Sequence, residues 1–193
     1  MKFNPFAWFQ SVRLGPDIRK FFINTLFDST FVLLGIIVGS AFVANPELKV
    51  ILGTMLASSL ALGISTGISV YEAESMGQEM ELKEIEKAMM ADLHHTQVAK
   101  SMQATTLVIS IVNFITPLCI CGITITPFLL ALAGVLMISS AAWISILMAL
   151  ATLFAAGFYL ELGSRRSALL KGFKMAAFGV LAFLMGFAID MLI

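Results

Sequence analysis

A carboxylate sits inside a stretch that reads as membrane. Residues 21–44, FFINTLFDSTFVLLGIIVGSAFVA, are long enough to cross a bilayer as a helix, yet they carry Asp28. On a helical wheel Asn24, Asp28, Gly35 and Gly39 fall within about 60° of one another. They form a polar, small-residue stripe on a helix that is otherwise mostly Phe, Leu, Ile and Val. An ionised carboxylate at that depth costs at least about 2.5–3.5 kcal/mol unless it faces a partner, a cavity or an ion. One reading is a structural contact with a buried polar group. The reading adopted here is a ligand in an ion path.

The second concentration of reactive side chains lies at 72–102. Seven of the twelve acidic residues fall between Glu72 and Asp92, leaving a net charge of −5 over residues 71–92. Wound as a helix, this segment groups Glu72, Glu79, Glu86 and His94 in one direction and Glu74, Glu81, Glu84, Asp92 and His95 nearly opposite. Between them runs an apolar stripe of Leu82, Ile85, Met89 and Leu93, suited to burial against another helix. Carboxylates mixed with imidazole suit Mn²⁺ or Fe²⁺, and Met76 and Met80 offer thioethers nearby. A bound cation also relieves the repulsion among crowded carboxylates. The plainer alternative is a solvated amphipathic face in which Glu79 and Lys83 form an ordinary i,i+4 pair.

These groups have to be positioned by a membrane fold. The chain has 193 residues, is 59% hydrophobic and only 12% charged, with a mean hydropathy of +0.96, which is the composition of a multi-pass membrane protein. Zero net charge argues against a nucleic-acid partner. Residues 1–20 mix Phe3, Phe6, Trp8 and Phe9 with Lys2, Arg13, Arg19 and Lys20, as expected of a segment at the headgroup level rather than a cleaved signal peptide. Residues 21–71 hold the first two spans. In the second, from about Val50 to Val70, Gly53, Ala57, Ala61 and Ser65 recur every four residues beside Gly63 and Gly67, and this helix is expected to pack directly on the first. It then runs without a break into the acidic insert at 72–102, which is expected in the cytoplasm. Residues 103–193 are expected to hold three more spans, turning near Ser139-Ser140, with Pro117 and Pro127 kinking the third. That layout places eleven Lys and Arg on one side and only Lys49 on the other, so the N-terminus is expected in the cytoplasm. The fold class is therefore all-α, with five transmembrane helices and an acidic helical insert between the second and third. Cys119 and Cys121, two apart in an apolar run, read as small packing residues. With no His-Glu-x-x-His and no histidine inside a span, the chain is not expected to be an enzyme.

The chain resembles the vacuolar iron transporter family, whose members move Fe²⁺ and often Mn²⁺ out of the cytosol. The first span of that family carries Asp followed by Gly seven and eleven residues later, here Asp28, Gly35 and Gly39. Its second span runs Ser-Met-x-x-Gly-Glu-Tyr into a glutamate-rich cytoplasmic helix. Here Ser65-Thr66-Gly67-Ile68-Ser69-Val70-Tyr71 leads into Glu72. Ser29 stands where the family has glycine, Thr66 where it has the pore methionine, and Val70 where it has glutamate, and the polar segment is shorter. The resemblance implies a homodimer with the pore between two first spans, bringing two copies of Asp28 together. It implies proton antiport with no prosthetic group, and glutamates that collect the ion, with Glu79, Glu84 and Glu86 nearest the family positions and Glu81 close by. Ser65 and Thr66 would line the route, and in a prokaryote the membrane would be the cell membrane. The rival expectation is a membrane scaffold or sensor that transports nothing and whose acidic helix docks a cytoplasmic partner.

Overall fold

Five long helices account for nearly all of the computed structural model, which describes residues 16–43, 45–92, 96–160 and 165–190. They are α1 (Pro16–Ala41), α2 (Leu48–Met89), α3 (Gln97–Leu132), α4 (Ile138–Leu160) and α5 (Arg165–Asp190). All five are long and apolar enough to cross a membrane, and the described residues contain no strand. The chain is thus an all-helical protein of the multi-pass membrane type. Residues 1–15, with Phe3, Phe6, Trp8 and Phe9, lie outside the described residues, as do Leu93, His94 and His95.

Helix α1 is the axis of the bundle. It touches each of the other four helices, whereas among α2, α3, α4 and α5 the substantial contacts run only between helices successive in the chain. The four form an arc around α1 that is open between its two ends. The filled side of α1 presents Leu26, Leu33, Leu34, Ile37 and Ala41 to Ile51 and Met55 of α2, Ile120, Ile125 and Phe128 of α3, and Ala142, Ile146, Ala149 and Leu153 of α4. Phe42, just past α1, meets Trp143 edge-on at 5.3 Å and Phe187 at 6.3 Å, tying that end to α4 and α5.

Helix α2 has no proline and continues through Gly77 for 42 residues, about 63 Å, roughly twice the apolar thickness of a bilayer. It stops where Met90 turns left-handed (φ 52°) and its N–H bonds back to the Glu86 carbonyl. The second helix packs mainly on α3 rather than directly on the first alone. A Cβ on Gly63 would lie 2.7 Å from the Phe114 carbonyl, and one on Gly67 would lie 3.1 Å from the Phe114 Cβ, so these glycines set the contact with α3. The other small row, Gly53, Ala57, Ala61 and Ser65, faces outward. The turn between α3 and α4 spans 133–137, not Ser139-Ser140, because Gly134 accepts a φ of +78° there. Ser139 and Ser140 instead lie at the start of α4. Both Pro117 and Pro127 are buried inside α3.

Candidate functional site

The polar stripe of the first span is open to the outside of the chain. Asn24, Asp28, Gly35 and Gly39 are all exposed, directly opposite the buried side of α1, and look through the opening between α2 and α5. Asp28 lies about 15 Å along the candidate span that begins at Ile18, near its middle. Asn24 Nδ2 donates to Asp28 Oδ2 at 3.1 Å, so one amide orients the carboxylate. A Cβ on Gly35 or Gly39 would meet nothing within 4 Å.

One turn away the same helix is closed. Thr25 and Asn113 are buried, and the Thr25 hydroxyl donates to Asn113 Oδ1 at 2.5 Å. Asn113 Nδ2 donates to the Ile109 carbonyl at 2.8 Å, so both ends of the amide are engaged. Pro117 has no N–H to give to the carbonyl of residue 113. The Thr66 hydroxyl of α2 comes within 3.2 Å of that oxygen while bonding the Leu62 carbonyl at 2.7 Å. Ser29 and Thr30, also buried, bond the carbonyls of Thr25 and Leu26 in their own helix.

The two hydroxyls expected to line an ion route are therefore not on one surface. Ser65 is exposed on α2, whereas Thr66 belongs to the α2–α3 contact. Gly63-Ile64-Ser65-Thr66-Gly67 also spells the Gly-x-Ser-x-Gly of a serine nucleophile turn. It lies within an unbroken helix rather than a strand-to-helix turn, and its glycines serve the contact with Phe114.

The acidic segment is the last part of α2 and stands beyond any single bilayer crossing. Leu82 is buried and Ile85 half-buried, but Met89 is 62% exposed, so the apolar stripe is covered only where α3 lies alongside. Glu79 and Lys83 pair at 2.8 Å. Glu72, Glu81 and Glu84 are exposed, and Glu74 and Glu86 are half-buried. Among the described residues no three His, Cys, Asp or Glu side chains converge as a metal site. His94 and His95 lie outside that set. Between α2 and α3, a groove of about 460 Å³ is lined by residues that include Tyr71, Ser75, Gln78, Glu79, Met102 and Gln103. Of the glutamates singled out from sequence, Glu79 alone lines it. Its amide and hydroxyl neighbours carried no signal beyond ordinary helix polarity.

One relative, an uncharacterised protein of Methanocaldococcus jannaschii, is 23% identical over 171 residues, covering 87% of this chain and 85% of its own. No family model matches the chain, and no solved structure matches it.

Proposed function

We propose that the protein is a divalent transition-metal transporter similar to the vacuolar iron transporters, moving Fe²⁺ or Mn²⁺ out of the cytosol in exchange for protons as a homodimer. The observation that carries this reading is the Asn24–Asp28 pair, exposed near the middle of a span and turned into the opening between α2 and α5. Left against lipid, the charge would cost at least about 2.5–3.5 kcal/mol. A second copy related by a two-fold axis would set Asp28 against Asp28, and a divalent cation between them would balance both charges. The open space at Gly35 and Gly39 lets two α1 helices approach along that stripe. The eleven-to-one division of Lys and Arg supports a cytoplasmic N-terminus, which puts the acidic end of α2 on the side from which metal would be collected.

The test is flux. Proteoliposomes holding a metal-quenched dye and a pH gradient should accumulate Fe²⁺ or Mn²⁺ with the parent chain and not with Asp28→Ala. Equal flux in both would remove the proposal's centre. One observation favours the scaffold reading instead, namely that the α2 carboxylates do not converge within one chain. That reading predicts partner binding independent of metal, and no flux.

A further inference from the structure

We propose that Asn113 is a positioning residue for Asp28: with Thr25 it sets the rotation of α1 about its own axis, and so the direction in which the carboxylate points. How this bears on transport rests on the reading above; the clasp itself does not.

The buried side of α1 is mostly Leu, Ile, Val and Ala. In a bilayer such side chains gain little by facing protein rather than lipid tails, because both are equally apolar. Rotation of α1 is therefore weakly opposed by its aliphatic contacts, and a directional bond decides among settings of similar packing. Of Thr25, Ser29, Thr30 and Ser40, only Thr25 reaches another helix; the other three bond carbonyls of α1. Thr25 precedes Asp28 by three residues and lies about 60° from it on the wheel, so fixing one side chain aims the other.

The acceptor is itself held. Asn113 is fully buried, its Nδ2 bonds the Ile109 carbonyl, and its Oδ1 is left to face α1. The backbone at this point is the place where Pro117 interrupts the ladder of α3, and α2 braces it through Thr66 and through Gly63 against Phe114. Three helices meet at one level, and the residue they share is Asn113, whose side chain accepts from Thr25 of α1 and whose backbone carbonyl accepts from Thr66 of α2. The junction lies at the edge of the buried side of α1, about 60° round the helix from Asp28, so it can aim the carboxylate without standing in the opening.

The rotation can be read directly, without flux. In chains carrying Cys119→Ser and Cys121→Ser, nitroxides at Gly39→Cys on the stripe and Leu147→Cys on the exposed side of α4 report one intrachain distance when labelled chains are diluted with unlabelled ones. The parent should give a single narrow distribution. Thr25→Val keeps the shape and removes the donor, and should shift the mean by several ångströms or widen the distribution about twofold. Thr25→Ser keeps the hydroxyl and should restore the parent distribution. An unchanged distribution in Thr25→Val would overturn the proposal, as would an equal change in Thr25→Ser, since volume rather than the bond would then be responsible. If Thr25→Val does not fold, Asn113→Ala is read in the same way, and an unaltered distance there is equally fatal. A parent chain that carries no metal but shows this pattern would refute the transport reading and leave the clasp standing.

Discussion

Two sides of α1 carry polar side chains one turn apart, in opposite circumstances. Toward α3, Thr25 is buried and its hydroxyl bonds Asn113. Toward the opening between α2 and α5, Asp28 is exposed with Asn24 as its hydrogen-bond partner. The inner pair is complete within one chain, because a neutral donor meets a neutral acceptor with no charge to compensate. The outer pair is incomplete, because an amide orients a carboxylate but does not neutralise it. A polar residue in a span thus reads as architecture or as function according to whether its own chain balances it.

The largest effect expected from this contrast is on transport. Asp28→Asn should abolish metal flux in proteoliposomes while leaving the helical circular dichroism and elution volume of the folded chain unchanged, since its side chain is exposed and bonds to Asn24 one turn away. Next comes the α2–α3 contact behind the inner pair. Gly63→Ala places a methyl group 2.7 Å from the Phe114 carbonyl and should cost about 1–3 kcal/mol in denaturant unfolding, because backbone rather than a flexible side chain must give way. Thr25→Val should cost about 0.6–1.7 kcal/mol in the same assay, the range for hydrogen bonds between membrane helices. Smallest is Gly35→Ala, which meets nothing within 4 Å and should change the stability of the single chain by no more than about 0.5 kcal/mol. Gly35→Leu should nonetheless weaken self-association measured by energy transfer between labelled chains. If Gly35→Leu unfolded the chain instead, the outer stripe would be part of the core and the contrast between the two sides would collapse.

Much of the architecture was legible in the residues. The unbroken passage of the second span into its acidic end followed from the absence of proline over 48–89 and from strong helix formers. The Glu79–Lys83 pair followed from spacing. The α3–α4 turn, expected near Ser139-Ser140 from the charge balance, lies a few residues earlier, where Gly134 can take a positive φ, a detail that charge counting cannot resolve. The partner of the glycine rows was also hidden. Gly63 and Gly67 differ from Gly53 and Ala57 by their direction on one helix, and periodicity cannot say which direction meets a neighbour. That Thr66 turns toward α3 was hidden as well, because it depends on the carbonyl freed by Pro117 more than forty residues away.

Local chemistry by itself determined that this chain makes five apolar helices, that one of them carries a carboxylate where charge is costly, and that a long acidic helix end adjoins the second. Hydropathy, helix period and the missing prolines are properties of neighbours in sequence, so no fold is needed to read them. Tertiary structure alone decided that α1 lies at the centre of an arc of four helices, that Thr25 is closed in by Asn113, and that Asp28 faces the opening. Those facts turn on which surfaces meet, and in a membrane the choice is made by close packing and a few directional bonds rather than by apolarity, which every span shares.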